Sequence, residues 1–241
     1  MRLIMATVLT TVLTIAPLDA QTTLGGATSY PDVPEPMVFD MVRPLGARRG
    51  ELEINTLVQR NGSGPHAKAE WAPEVEYAVA DGFAVELELP VEGLGIAAYK
   101  MGLQGTFGTF AGGRGVHGVQ YLGLYDRTDR QWRSTLLYLV GFRLDDRWST
   151  MSMIGAGDVA LSGRDRSRLI VNHSTFYDLS HTTLAGVEVN MRLGGSRYTM
   201  LMPQVHHRLP KGFSIQGGVG AVRDDGEPWR PRAGVRVIKQ F

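Results

Sequence analysis

Apolar and polar residues alternate with a period of two through most of this chain, most cleanly between Lys68 and Val91. Trp71, Pro73, Val75, Tyr77 and Val79 share one parity while Glu70, Glu74 and Glu76 hold the other, the pattern of a strand with one apolar face. Ala80-Asp81-Gly82 reads as a tight turn, after which Phe83, Val85, Leu87 and Leu89 resume the apolar parity opposite Glu86 and Glu88. The pair predicts an antiparallel hairpin with Glu74, Glu76, Glu86 and Glu88 on one side.

About twelve such segments recur, near 51–60, 68–79, 83–91, 96–107, 116–125, 132–144, 148–161, 168–179, 182–193, 198–209, 213–223 and 231–241. In 132–144, Trp132, Leu136, Tyr138, Val140, Phe142 and Leu144 share a face, with Arg133, Thr135 and Arg143 opposite. An arginine facing lipid at the bilayer midplane costs about 2–4 kcal/mol, so Arg133 and Arg143 are expected to point inward. The same argument turns Glu188 and Arg192 inward against Val187, Val189, Met191 and Leu193. It also turns Arg232 and Arg236 inward against Ala233, Val235, Val237 and Phe241. Segments 116–125, 148–161 and 168–179 declare no phase. A soluble sandwich alternates similarly, but the number of repeats and their apolar outer face favour an all-β, transmembrane, antiparallel up-and-down β-barrel of about 12 strands. Its connections are short at both ends, and periplasmic termini would place those at 80–82, 145–147, 180–181 and 210–212 on the periplasmic side.

The ends of the chain fit that architecture. Arg2, an apolar stretch from Leu3 to Ala16 and Leu18-Asp19-Ala20 have the order of a cleaved signal peptide over 1–20, and the run is too short for a spanning helix of about 20 residues. The final strand, Gly234-Val-Arg-Val-Ile-Lys-Gln-Phe241, resembles the C-terminal signature of bacterial outer-membrane β-barrels. That resemblance implies an outer-membrane location, contact with outer-membrane lipid, and Phe241 as the assembly signal read by the insertion machinery. Between the ends lie a non-alternating segment at 21–49, with Pro31, Pro34, Pro36 and Pro44, and a single barrel domain at 50–241. The apolar cluster Met37, Val38, Phe39, Met41 and Val42 could plug the periplasmic mouth, but the commoner fate of a terminus is to pack beside the first strand or stay loose, and that is the expectation.

Composition narrows the function classes. A net charge of +1 with scattered basic residues argues against nucleic-acid binding, and the absence of cysteine requires an exported fold to hold together without disulfides. A hydrophobic content of 43% beside 30 glycines suits a barrel better than a soluble helical enzyme.

Closure would bring the first strand beside the last, so that Glu51 and Glu53 lie near Arg232 and Arg236. With Glu70, Glu74, Glu76, Glu86 and Glu88 they make one wall of the lumen acidic, while Lys100, Arg133, Arg143 and Arg192 supply basic groups elsewhere around the circumference. Such an interior reads either as a charged conduit for a small polar or ionic solute or as a salt-bridged plug that conducts nothing.

Enzymatic and metal chemistry find weak support. His173-Ser174 is similar to the His-x-Ser pair of some outer-membrane lipid hydrolases, but adjacent strand residues point to opposite faces, and Thr175 on the correct face is a poorer nucleophile. Asp145-Asp146 and Asp224-Asp225 have no nearby histidine in sequence, His206-His207 diverge, and Gly112-Gly113-Arg114-Gly115 lacks a phosphate-loop ending. No catalytic residue, cofactor or metal is expected. The run Trp71-Ala-Pro-Glu-Val-Glu-Tyr77, followed by Asp81-Gly-Phe-Ala-Val-Glu-Leu-Glu-Leu-Pro90, resembles the opening hairpins of outer-membrane transporter barrels grouped with the phenol-degradation MetA-pathway proteins. That resemblance implies passage of small molecules and brings no catalytic residues. The leading expectation is a narrow channel or transporter; the alternatives are a non-conducting structural or assembly barrel and a lipid-modifying enzyme.

Overall fold

In a computed structural model of the chain, residues 30–39, 41–62, 68–157, 168–194 and 197–241 are described. The segment read as a signal peptide, 1–20, lies outside them. Alternation has produced the expected architecture, a closed antiparallel barrel of 12 strands with two further short strands. The strands are β1 (Leu52–Asn61), β2 (Lys68–Ala80), β3 (Phe83–Glu88), the two-residue pair β4 (Val91–Glu92) and β5 (Gly95–Ile96), β6 (Ala98–Phe110) and β7 (Gly115–Asp126). They continue as β8 (Trp132–Arg143), β9 (Trp148–Gly157), β10 (Arg168–Asp178), β11 (Thr183–Leu193), β12 (Tyr198–Leu209), β13 (Phe213–Asp224) and β14 (Arg230–Gln240). Most barrel strands have the length of about 9–11 residues or slightly more that a tilted strand needs to cross a bilayer.

The long strands pair edge to edge in chain order, with β6 beside β3 and the short β4–β5 pair attached to β2, and β1 pairs with both β2 and β14, which closes the barrel. Tight turns gather at one end, called here the turn end. One is Ala80-Asp81-Gly82, where Gly82 takes φ +71, a left-handed conformation that suits glycine. The other end, where β1, β7, β9, β11 and β13 finish, is called the loop end.

The outer face is apolar, with Ile54, Val58, Val75, Leu87, Leu136, Ile154, Val187, Leu201, Val235 and Val237 exposed. Exposed aromatic residues mark both ends of this band: Trp71, Tyr99 and Trp132 at the loop end, and Phe83, Trp148, Phe213 and Phe241 at the turn end. Two aromatic girdles around an apolar band are the surface of a membrane-spanning barrel. The three undeclared segments also have a definite phase: Val116, Gly118 and Gln120 point inward on β7, Ser149, Met151 and Met153 on β9, and Asn172, Ser174 and Phe176 on β10.

One expectation is corrected. The proline-containing segment does not pack beside the first strand; its described residues from Tyr30 to Ala47 enter the barrel, where Met37, Met41 and Val42 are fully buried. The physical reason lies in the wall. Leu137, Leu139, Met151, Met153 and Phe176 point into the lumen, and Val33, Met41 and Leu45 of this leader pack on them in a single apolar cluster.

Candidate functional site

The leader is held across the lumen by side chains from four strands. The Met37 N–H donates to Gln204 Oε1 of β12 at 3.0 Å, and the Val38 and Phe39 N–H groups donate to the two carboxylate oxygens of Glu188 on β11 at 3.0 and 2.6 Å. Further along, the Val42 N–H donates to Gln120 Oε1 of β7 at 3.3 Å and the Gly46 N–H to Thr106 Oγ1 of β6 at 2.8 Å. Gln104 on β6 donates from its amide nitrogen to the Arg43 carbonyl. A backbone segment outside the sheet but inside a barrel must find partners for its N–H and C=O groups, and the inward glutamines, Glu188 and Thr106 supply several of them. Three lumen glycines leave the space. A Cβ on Gly102 would meet Val42 Cγ2 at 2.5 Å, one on Gly118 would meet Leu45 Cδ2 at 2.8 Å, and one on Gly218 would meet Met37 Cε at 2.8 Å.

The side of the barrel formed by β14, β1, β2, β3 and β6 is charged. Arg43 of the leader ion-pairs with Glu53, with Glu51 at 3.2 Å and with Glu76 at 3.6 Å. Asn55 steadies this group by donating to Glu76 Oε1 at 2.7 Å and to Glu53 Oε1 at 3.1 Å, and Gln240 donates to Glu53 Oε2 at 3.2 Å. Arg236 pairs with Glu74 at 2.8 Å, and Lys100 pairs with Glu86 at 3.1 Å and with Glu88. Buried charges are tolerated where each has a partner of opposite sign, as these do.

The side formed by β7 to β10 is apolar, built from Val116, Leu137, Leu139, Met151, Met153 and Phe176. A smaller apolar cluster of Leu57, Met200, Met202 and Val222 receives Met37. The lumen is therefore two-sided, charged along one wall and apolar along another, with the leader between.

At the turn end the interior opens into a cavity of about 730 Å³, lined among others by Asp32, Glu35, Arg143, Asp178, His206 and Arg208. Arg143 pairs with Asp178 and donates to the Asp32 carbonyl at 3.2 Å, fixing the entry of the leader. Glu35 is buried here, and that burial, reinforced by the nearby Glu53 charge, pushes its carboxyl from 4.5 up to about 8.

Several sequence-derived candidates meet partners other than those expected. The β1–β14 register sets Leu57 opposite Arg236 and Gln240 opposite Glu53, so Glu53 receives Arg43 while Arg236 reaches Glu74. Arg232 lies nearer the loop end, donating to Gln59 at 2.7 Å and lying 3.4 Å from Glu70. Lys100 is part of the charged wall rather than a counterpoise elsewhere, because β6 pairs directly with β3. Arg133 pairs with Asp126 at 3.1 Å and with Asp129 at the loop end, and Arg192 lies 5.5 Å from the Tyr198 ring centre. Glu188 is fully buried and holds the leader backbone. Phe241 is exposed on the outer face at the turn end, its N–H donating to the Leu52 carbonyl at 2.9 Å.

Arg43, Glu35, Gln104, Gln120 and Gln204 were missed as site residues. The one available signal was an arginine set immediately after an apolar cluster in a segment that does not alternate.

Glu74, Glu86 and Glu88 bring carboxylate oxygens within 4.8 Å of one another, but Arg236 and Lys100 supply the positive charge that a metal ion would bring there. On the outer face, His173 Nδ1 lies 2.8 Å from Ser152 Oγ and its Nε2 3.1 Å from Thr175 Oγ1, while Ser174 points inward as parity requires. His117 and His207 bond in the same way to Tyr138 and Thr183, so His173 belongs to a pattern of outer-face imidazoles satisfied by hydroxyls on the neighbouring strand.

The barrel fold has solved counterparts. The COG4313 outer membrane channel from Pseudomonas putida F1 superposes with a TM-score of 0.67 at 12% identity, covering 84% of this chain and 100% of that one. The fold is that of outer-membrane channels. The KdgM porin superposes with a TM-score of 0.61 at 12% identity, over 78% of this chain and 99% of that one, and the NanC porin with 0.56 at 9% identity, over 78% and 97%. These neighbours are channels and porins, not enzymes. Residues 32–101, which run from the leader into β6, match a family model described as HAEPLYID-like. No curated protein matches the chain.

Proposed function

We propose that the protein is a bacterial outer-membrane channel for small solutes, with both termini periplasmic and with residues 30–47 as a plug inside its own lumen. The observation that carries this reading is the leader bonded to Gln204, Glu188, Gln120 and Thr106, which lie on well-separated parts of the wall. A structural barrel of this size could fill its interior with wall side chains alone, whereas here a separate segment fills it, in space left by glycines. A separable filler can leave.

The charged wall sets the selectivity of the open state. Buried Glu53, Glu74, Glu76, Glu86 and Glu88 outnumber Arg236 and Lys100 once Arg43 withdraws with the leader, so the lumen favours cations. The outer face contacts outer-membrane lipid, and Phe241 serves the insertion machinery.

Planar-bilayer recording tests the reading. The wild-type chain is expected to give small, intermittent conductance above the lipid background, larger and longer-lived in Arg43→Met, with a cation-selective reversal potential in a KCl gradient. Barrels of correct heat-modifiable gel mobility that conduct in neither form would sink the channel reading and favour the non-conducting structural barrel.

A further inference from the structure

The leader places a guanidinium in a carboxylate cage and an apolar side chain on the facing wall. Arg43 is 4% exposed at its side chain and lies among Glu51, Glu53 and Glu76, while Met41 is fully buried on Leu137, Leu139, Met151 and Met153. Only Val42 separates Met41 from Arg43, so their Cα atoms are at most about 7 Å apart. The cage keeps unused capacity: Asn55 Oδ1 accepts no hydrogen bond and Glu76 Oε2 has only the 3.6 Å ion pair with Arg43, and both side chains are more than nine-tenths buried. Buried acceptors without donors are costly, so a donor-rich cation that answers them in place of Arg43 would be stabilised there.

We infer that Glu53, Glu76 and Asn55, with the apolar wall of Leu137, Leu139, Met151 and Met153, form a binding site for an organic cation that carries a guanidinium, amidinium or ammonium head on an apolar body, and that Arg43 and Met41 are its built-in competitor. The inference rests on the plugged-channel reading, because the site becomes available when the leader withdraws. A planar fork of N–H donors matches paired carboxylates better than a spherical ion does. Cations without an apolar part would leave the opposite wall uncovered, and neutral solutes would leave the carboxylates unanswered.

Calorimetry on the full chain in detergent micelles tests the site without needing any current. The probes are benzamidinium, methylguanidinium, neutral benzamide and anionic benzoate, and the proteins are wild type, Arg43→Ala and Arg43→Ala/Glu53→Gln, each checked for folding by heat-modifiable mobility. Benzamidinium is expected to bind Arg43→Ala at least about tenfold more tightly than wild type, because the internal guanidinium no longer competes. That gain should vanish in Arg43→Ala/Glu53→Gln, be absent for benzamide and benzoate, and be smaller for methylguanidinium. An equal gain for benzamide, survival of the gain without the Glu53 charge, or no gain in folded Arg43→Ala would overturn the site, and equal binding of methylguanidinium would overturn its apolar half. Should Arg43→Ala fail to fold, Arg43→Gln removes the charge with less loss of volume and carries the same comparison. A barrel that binds benzamidinium but never conducts would refute the channel reading alone; one that conducts without binding would refute the site alone.

Discussion

Along β14, β1, β2, β3 and β6 the lumen presents acidic and basic side chains in tight pairs; along β7 to β10 it presents leucine, methionine and phenylalanine. Both surfaces hold the same segment, by different means. On the charged side, Arg43 is positioned by ion pairs that define where the leader stops, since a buried guanidinium displaced from its carboxylates would be stranded without solvent. On the apolar side, Val33, Met41 and Leu45 gain by removing hydrocarbon from water, a contact that tolerates sliding. The difference teaches that register of the plug comes from one wall and adhesion from the other.

That division of labour can be broken one wall at a time. Because the chain has no native cysteine, Val42→Cys supplies a lone thiol, buried while the leader is seated and open to a membrane-impermeant maleimide when it leaves. In that background Arg43→Met should have the largest effect, since removing one partner of a buried ion pair costs about 3–5 kcal/mol, and thiol labelling should accelerate strongly. Unchanged labelling would mean that the charged wall does not hold the plug. Met41→Ala should follow, at about 2–3 kcal/mol for an emptied apolar site; a loss as large as that of Arg43→Met would dissolve the distinction between the walls.

Glu188→Gln should cost less, about 1–2 kcal/mol, because the amide still accepts a hydrogen bond from the leader backbone but without charge assistance. Labelling indistinguishable from wild type would show that Gln204 and Gln120 suffice.

The smallest effect is on pH dependence. Glu35 faces Glu53 of β1, Glu74 of β2, Arg236 of β14 and Arg43 of the leader, and its carboxyl is pushed from 4.5 up to about 8 when seated. Seating therefore takes up a proton: it is unaffected below 4.5, weakens as pH rises from there towards about 8, and levels off above. Thiol labelling should quicken across that window in wild type and lose part of this slope in Glu35→Gln. A slope unchanged by Glu35→Gln would assign the titration to another group.

The charged wall was legible in the chain because each of its glutamates alternates with an apolar neighbour, as in Glu74-Val75-Glu76 and Glu86-Leu87-Glu88. Where both parities were apolar, as in Leu136-Leu137-Tyr138-Leu139, the arginines at the strand ends still fixed the phase, but nothing local explained why leucines should point into a lumen expected to be wet. Met151 and Met153 on β9 had no such neighbours, and their phase could not be read.

What the sequence determined by itself was the repeated contact with a uniform apolar medium outside. That requirement acts on each strand separately, leaves a period of two, and yields the approximate strand count, the antiparallel barrel order and the outward faces of the strands whose alternation is clean. Only the tertiary structure decided what fills the inside. Phe39 meets Glu188 across 149 positions and Met37 meets Gln204 across 167, and no local periodicity encodes a contact between residues that meet only after the barrel has closed around them.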